Sequence, residues 1–315
     1  MSRTHPRPIV SVLVALAFVV GALAPAGSAV ELEIDLDLTV APKPFVTAGS
    51  STLASATFVN RSDGGLTDVA ISFDVPSGSF ESASPDRCVV SSATRVTCDI
   101  GALAAGGSVQ QFVSFTAPAG KDEVKIGSTA TYKKVKQASG TVLTRSDSDS
   151  TGVAAAGDPN LVGTCASTAG TLATDPTSGE ANPQSTSVAF TESATLPCTP
   201  VSVGEQERTP ANPGCPPGEE CATQVSFVTI PALAKPATVT ISFERNVLKP
   251  GTKPKNFVLW ETPDKYPAQP IRQVQECPMA AGEDSCIVKV SKYRKKGIQV
   301  VLKVIGTGDD PRYAG

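Results

Sequence analysis

Apolar and polar residues alternate with a period of two in the segment ELEIDLDLTV, residues 31–40. Leucine, isoleucine and valine occupy the even positions, while acidic residues or threonine occupy the odd ones. This alternation predicts a β-strand with one buried face and one face in water. The aspartates of this segment are accordingly interpreted as solvated residues of the outer face.

Further short segments rich in Val, Ile, Thr and Phe follow up to residue 133, separated by turn sequences such as RSDGG, VPSG and AAGG. The chain nowhere sustains the 3.6-residue periodicity of an amphipathic helix. About seven short strands with turn residues between them are typical of two antiparallel sheets packed face to face. The predicted strands are STLASATFVN, LTDVAISFDV, RCVVSS, RVTCDI, SVQQFVSFTAP and KIGSTATYKK.

The second half of the chain has the same character. Strands are predicted at TSVAF, ATQVSFVTI, ATVTISFERNV, NFVLWE, RQVQEC, SCIVKVS and IQVVLKVIG, and the segments TAGTLATDPTSGEANPQS and VGEQERTPANPGCPPGEEC are interpreted as loops. The predicted fold class is all-β, with two antiparallel, immunoglobulin-like β-sandwich domains in tandem, stapled by disulfides. We assign residues 30–145 to the first domain, 146–160 to a polar linker and 161–315 to the second domain.

The first 29 residues have the composition of a secretory signal peptide. Arg3 and Arg7 precede the apolar run SVLVALAFVVGALA, and the small residues of APAGSA provide a cleavage site after Ala29. A retained membrane anchor is the alternative, but Pro25 and Gly27 interrupt the apolar run. We therefore expect a protein that is secreted or at the cell surface, without a transmembrane anchor after cleavage.

The chain contains eight cysteines. An even number of cysteines in an exported protein predicts disulfides, and a zinc site is disfavoured because C-x2-C spacing is absent. Connectivity cannot be deduced from sequence alone. The sequence-local pairing is our prediction: Cys88–Cys98, Cys165–Cys198, Cys215–Cys221 and Cys277–Cys286.

The single histidine, His5, lies in the predicted signal peptide. A mature chain without histidine has no histidine base for a serine or cysteine triad and no histidine metal ligand. Glu219 and Glu220 are adjacent, so they cannot flank a glycosidic bond from two sides. The chain has one tryptophan, Trp260, and few other rings for a sugar-handling site. We expect no enzymatic activity; the alternative is an enzyme with a carboxylate site at the domain interface.

The segment VTCDIGALAAGG, residues 96–107, resembles the closing motif of the bacterial conserved-repeat surface domain, an immunoglobulin-like family known as domain of unknown function eleven. The acidic-apolar first strand and ATFVNRSDGGLTDVAISFDVP fit the same pattern, so the resemblance covers about residues 31–133. The turn NRSDGG departs from that family's usual turn. The resemblance implies a structural or adhesive module with no catalytic residues. The end of the chain, from CPMAAGEDSC to DPRY, is similar to a carboxy-terminal segment of secreted actinobacterial proteins and implies no activity.

The polar segment 146–160 has a second interpretation as a calcium loop. Asp147, Asp149 and Thr151 stand at positions one, three and five of an EF-hand-type loop, and Asp158 stands at position twelve. Alternating oxygen ligands suit Ca²⁺. The flanks are not helical, however, and the last ligand is Asp rather than Glu. No other cofactor is predicted.

Charge is uneven along the chain, which has a net charge of −3. Lys and Arg outnumber Asp and Glu from Arg245 onward, and KYRKKG is the densest basic segment. A solvated hairpin turn with Gly297 in the left-handed conformation explains this segment. The functional alternative is an anion-binding patch for acidic wall polymers or lipids. It would consist of Lys292, Arg294, Lys295 and Lys296.

Together these features predict a secreted, non-catalytic adhesive or scaffold module of the cell envelope or the extracellular space. Its expected partners are cell-wall polymers or other envelope proteins. Nucleic acid is not expected as a partner, because the chain is exported and slightly acidic. A Ca²⁺-dependent binding module and the carboxylate enzyme are the alternatives.

Overall fold

The computed structural model describes residues 33–85, 87–135, 140–174, 184–210, 213–219, 221–222, 224–231, 233, 235–262, 267–279, 285–294, 297–305 and 312–314. These residues form β-strands and two single-turn 3-10 helices, Arg245–Val247 and Pro254–Asn256, and none of them is in an α-helix. Among them, no helix has the length and apolarity needed to cross a membrane. The signal peptide predicted for residues 1–29 lies outside the described residues.

The first sandwich contains ten strands. They are β1 (Ile34–Ala41), β2 (Phe45–Thr47), β3 (Ser51–Asn60), β4 (Leu66–Asp74), β5 (Phe80–Ser84), β6 (Cys88–Ser92), β7 (Arg95–Leu103), β8 (Ser108–Thr116), β9 (Glu123–Lys134) and β10 (Leu143–Ala154). One sheet has the order β1-β3-β8-β5 and the other has the order β2-β10-β9-β4-β7-β6. Neighbouring strands are antiparallel except β2 and β10, which are parallel.

The alternation at the start of the chain buries one face of β1, as predicted. Ile34, Leu36, Leu38 and Val40 are buried between the two sheets. Phenylalanines from three other strands, including Phe58, are fully buried in the same core. Each fully buried side chain of this size contributes about 1.5–3 kcal/mol relative to exposure, so the period-two pattern accounts for the assembly of this sandwich.

The second sandwich contains eleven strands. They are β11 (Leu161–Ala166), β12 (Gly170–Ala173), β13 (Gln184–Phe190), β14 (Thr199–Glu207), β15 (Gln224–Thr229), β16 (Ala237–Phe243), β17 (Trp260–Thr262), β18 (Arg272–Gln273), β19 (Ser285–Tyr293), β20 (Gly297–Val304) and β21 (Arg312–Ala314). Its sheets have the orders β11-β14-β15-β21-β17-β18 and β12-β13-β16-β20-β19. A second hydrophobic core lies between them.

Strands β11, β12, β14 and β21 were not predicted from sequence, and β12 lies in a segment that we interpreted as a loop. Part of β14 lies in a segment that we interpreted as a loop, because glycine and polar residues interrupt its apolar pattern. In the structure it is buried, and its Glu205 accepts a hydrogen bond from Thr174 at 2.9 Å. Strand β21 pairs between β15 and β17 with Tyr313 fully buried. Strands β14 and β21 are therefore specified by partners that are distant in sequence.

Four disulfides join the cysteines in the pairs that were predicted: Cys88–Cys98, Cys165–Cys198, Cys215–Cys221 and Cys277–Cys286. The first pair links directly opposite residues of β6 and β7. Together with the two sandwiches, these bonds confirm the predicted all-β, disulfide-containing fold class. Such a set of disulfides fits a protein that resides outside the reducing cytosol.

The prediction of a linker over residues 146–160 is wrong for its first part. Strand β10 continues to Ala154 and pairs with β9 as far as Gly152, which lies opposite Glu123. Polar residues can form this strand because their side chains bond to the neighbouring strand β1, as described below. The connection between the sandwiches is therefore reduced to residues 155–160.

The two sandwiches contact each other directly. The rings of Phe45 and Phe227 meet edge to face, with centroids 5.4 Å apart. The backbone N–H of Gly163 on β11 donates to Oγ1 of Thr47 on β2 at 2.9 Å. Leu53 of the first sandwich packs with the disulfide Cys165–Cys198 of the second. These contacts give the domains a packed interface, and the described residues of both sandwiches belong to one compact unit.

Candidate anion-binding cleft

The polar residues of β10 bond to the backbone of β1 and of Pro42, which directly follows it. Arg145, Asp147, Asp149 and Thr151 alternate along β10, so their side chains point to one side of the strand. Asp147 Oδ2 accepts from the N–H of residue 38 at 2.8 Å, and Asp149 Oδ2 accepts from that of residue 40 at 2.7 Å. Arg145 donates to the carbonyl of residue 34 at 3.1 Å, and Thr151 donates to that of residue 42 at 2.7 Å. We call these four side chains the β10 ladder.

The β10 ladder overturns the calcium prediction. An EF-hand-type loop must curl around its ion, whereas Asp147, Asp149 and Thr151 lie on an extended strand. The Asp158 carboxylate accepts from the backbone N–H groups of residues 160 and 161 instead, at 2.8 and 3.2 Å. Within the described part of the chain, no group of three or more acidic, cysteine or histidine side chains could hold a metal ion.

Asp149 is also paired with a cation. Lys43 Nζ lies 2.8 Å from Asp149 Oδ1. Burial raises the pKa of Asp149, but the hydrogen bonds from Lys43, Val40 and Ser150, together with the charge of Lys43, outweigh it. The pKa of this carboxyl therefore lies below its ordinary value. Asp149 stays ionised while it accepts the hydrogen bond that joins β10 to β1.

The predicted basic hairpin is only partly described. Lys292 and Arg294 are exposed, whereas Lys295 and Lys296 lie outside the described residues. Arg294 donates to Glu244 at 2.8 Å, so part of its charge is neutralised. Of the described cations of this hairpin, Lys292 forms no ion pair with another described residue.

The left-handed conformation predicted for Gly297 is wrong. Arg294 has a positive φ of 45°, and Gly297 is outside the left-handed region. Glycine is required at 297 for a different reason: a Cβ atom there would lie 2.5 Å from the carbonyl oxygen of Phe243 on β16. The close approach of β20 to β16, not the turn, therefore selects this glycine.

Residues 244–259, between β16 and β17, bring further cations to Lys292. We call this segment the basic loop. The backbone carbonyl of Lys249 accepts a hydrogen bond from the N–H of Thr252 at 3.1 Å, and Gly251 has a φ of 89°. Proline at the second position and a left-handed glycine at the third are typical of a type II turn. The buried Leu248 and the contact of Phe257 with Phe243, 5.1 Å between ring centroids, fix the loop on the core.

The basic loop and the start of β20 enclose a cleft of about 550 Å³. Four of its lining residues carry a positive charge, and none carries a negative one: the cations are Arg245, Lys253, Lys255 and Lys292. The three lysines are exposed and form no ion pair with another described residue. Such a cluster attracts anions, because uncompensated charges of one sign focus the field in a concave surface. We call this the basic cleft.

Sequence reasoning found only one lining residue of the basic cleft, Lys292. The signal that it missed is KPGTKPK, residues 249–255, in which lysines alternate with turn residues. That segment is separated from Lys292 by about forty residues, and only the packing of the loop beside β20 unites them. From the sequence alone, the lysines of this segment are interpreted as isolated surface charges.

The carboxylate-enzyme alternative gains no support from the contacts between the sandwiches. In the part of the chain that the structure describes, the side chains that carry them are aromatic, aliphatic, hydroxyl and disulfide groups. The buried Glu261 lies inside the second sandwich, where it accepts from Arg272 at 2.7 Å and from Ser285 at 2.6 Å. This carboxylate is thus held by structural partners.

Comparisons with known proteins do not identify a family. The sequence matches no protein-family model and no curated protein. Partial likenesses to solved structures were found, and three examples follow. AvmM, which catalyses macrocyclization in alchivemycin A biosynthesis, is 14% identical with a TM-score of 0.26, over 38% of this chain and 88% of that one. A cohesin module from a Clostridium perfringens family 33 glycoside hydrolase is 13% identical with a TM-score of 0.29, over 38% of this chain and 98% of that one. The bacterial hydrophobin BslA is 16% identical with a TM-score of 0.28, over 39% of this chain and 95% of that one.

Proposed function

We propose that the protein is a secreted, non-catalytic module of the cell envelope that binds an anionic wall polymer through the basic cleft. The observation that carries the proposal is the lining of that cleft by four cations and no acidic residue. Its extracellular location rests on the four disulfides and on the signal-peptide pattern of residues 1–29.

The cations of the basic cleft suit a flexible polymer. Lysine is a point charge on a flexible stem, whereas arginine favours fixed, bidentate recognition of one carboxylate or phosphate. Three of the four cations are lysines, so they can follow successive anionic groups without one rigid geometry. Two of the lysines also stand on ordered backbone, since Lys253 caps the 3-10 turn Pro254–Asn256 and Lys255 lies within it.

The non-catalytic part of the proposal rests on the sequence. The only histidine of the chain is His5, which precedes the predicted cleavage site. The resemblance of residues 31–133 to the conserved-repeat surface domain, which also rests on the sequence, supports an adhesive or scaffold role. That assignment stays a prediction.

Co-sedimentation with cell walls tests the proposal. Isolated peptidoglycan would be compared before and after chemical removal of its phosphodiester polymers. We expect retention only by the untreated walls, with an affinity that falls as salt rises. The variant Lys253→Gln/Lys255→Gln/Lys292→Gln should bind at least tenfold more weakly, and its salt slope should fall by about one for each lysine that contacts the polymer.

A charge-matched variant provides the control. Lys121→Gln/Lys125→Gln/Lys303→Gln removes the same number of exposed positive charges outside the basic cleft. If the two triple variants lose affinity equally, binding depends on net charge alone and the basic cleft is not the site. Equal retention on treated and untreated walls would overturn the anionic ligand.

A further inference from the structure

A second cleft adjoins the basic cleft. It has a volume of about 470 Å³, and Thr252 of the basic loop lines both clefts. Phe257 and Trp260 contribute the aromatic part of its lining. Its polar part consists of two amides and two opposite charges: Asn256, Gln273, Glu219 and Lys249. We call it the aromatic cleft. Its chemistry differs from that of the basic cleft, so the two can contact different parts of one ligand.

The aromatic side of this cleft is fixed in place. Trp260 is the only tryptophan of the chain, and it lies on β17 with its side chain partly exposed. Phe257 is held by its ring contact with Phe243. The face of an aromatic ring is electron-rich, and the axial C–H groups of a pyranose carry partial positive charge. A partly exposed indole therefore offers a stacking surface for a sugar ring.

The polar side of the aromatic cleft is unoccupied by protein partners. The side chains of Glu219, Asn256 and Gln273 form no hydrogen bond or ion pair with another described residue. Amide groups both donate and accept, and a carboxylate accepts. This set matches sugar hydroxyls, which also donate and accept. A few convergent polar groups beside an apolar surface are typical of small-ligand sites.

We infer that the ligand of the protein is a glycan carrying anionic groups, with a sugar ring in the aromatic cleft and anionic groups in the basic cleft. This inference rests on the proposed function, to which it adds the sugar. Charge separates the two parts of the ligand: Glu219 and Lys249 leave the lining of the aromatic cleft without net charge, whereas the lysines of the basic cleft attract an anion. Thr252, at the boundary, lies between the two contacts.

Trp260 allows a direct test, because its fluorescence reports on the aromatic cleft alone. The purified protein would be titrated with poly(ribitol phosphate) bearing N-acetylglucosamine and with the same polymer without the sugar. We expect the glycosylated polymer to bind about tenfold more tightly and to shift the Trp260 emission to shorter wavelength. The unglycosylated polymer should bind without shifting it.

Variants separate the contributions of the two clefts. Asn256→Ala/Gln273→Ala should remove most of the tenfold preference for the glycosylated polymer while keeping the affinity for the unglycosylated one. Asn246→Ala/Gln206→Ala removes two exposed amides that line neither cleft, and it should behave as the native protein. These variants avoid replacing Trp260, which is part of a paired strand.

The outcomes distinguish this inference from the proposed function. Equal affinity for the two polymers, with no change in emission, would overturn the sugar contact while leaving the anionic ligand in place. A preference for sugar that survives Lys253→Gln/Lys255→Gln/Lys292→Gln, with no salt dependence, would overturn the anionic contact. Failure of both polymers to bind would refute both proposals.

Discussion

Replacing Gly163 by alanine tests whether the two sandwiches are locked together. A Cβ atom at this position would lie 2.4 Å from the carbonyl oxygen of Phe45, whereas ordinary contacts begin at 3.4 Å. The obstacle is backbone, so it cannot rotate away. Strands β11 and β2 would have to move apart by about 1 Å, which places the whole cost of the substitution on the contact between the domains.

The size of the effect follows from the contacts that this movement breaks. The hydrogen bond from Gly163 to Thr47 contributes about 1 kcal/mol, and the edge-to-face contact of Phe45 with Phe227 about 0.5–1.5 kcal/mol. A gap of about 1 Å also forfeits up to half of the local dispersion energy. Alanine recovers about 0.4–1 kcal/mol by restricting the unfolded chain. We expect Gly163→Ala to lower the free energy of unfolding by about 2 kcal/mol.

Urea unfolding, followed by circular dichroism and by Trp260 fluorescence, measures this difference. Gly170→Ala is the matched control: it is also in a strand, but its Cβ would meet only Phe190 at 3.8 Å. We expect the control to change stability by less than about 1 kcal/mol. Equal stability of Gly163→Ala and Gly170→Ala would refute the packed interface.

Three further substitutions probe single features. Asp149→Asn should lower the free energy of unfolding by about 1–2 kcal/mol at neutral pH. Because the pKa of Asp149 is lowered in the folded protein, its stabilising contribution is present above about pH 3.9 and is lost as the pH falls through the folded pKa. Urea unfolding at several pH values should therefore show this acid dependence in the native protein and not in the variant. Glu261→Ala should lower the free energy of unfolding by about 2–3 kcal/mol, as measured by thermal denaturation. The reason is that it removes the buried carboxylate that pairs with the partly exposed Arg272. Cys165→Ser with Cys198→Ser should cost about 3–4 kcal/mol, the most of any disulfide pair, because this bond closes the longest loop; an equal loss from removing each of the four disulfides would contradict that ranking.

Local patterns in the sequence predicted much of the fold. The alternation of residues 34–40 predicts β1 because each residue's burial depends on its own position in the strand. The disulfides follow a sequence-local pairing, with separations of 6 to 33 residues. By contrast, β10 looks like a polar linker. Its strand character depends on the backbone of β1, which lies 109 residues away at the Asp147 and Asp149 contacts.

The candidate site was less predictable for a related reason. Whether a lysine belongs to an anion-binding cluster depends on the charges around it, and the composition of a segment does not reveal which distant segment packs beside it. Lys253 and Lys255 join Lys292 only because Phe257 fixes the basic loop against β16. Likewise, counting aromatic residues argued against a sugar site, whereas the position of Trp260 beside unpartnered amides supports one.

The β10 ladder has a consequence for the behaviour of the protein at high concentration. Strand β1 is an edge strand, and an exposed edge invites the addition of a strand from another molecule. Here Asp147 and Asp149 already occupy two of the edge N–H groups, Arg145 occupies the carbonyl of Ile34, and Thr151 occupies that of Pro42 just beyond the strand. Copies crowded together therefore cannot merge through β1 into a continuous intermolecular sheet, and this edge resists aggregation.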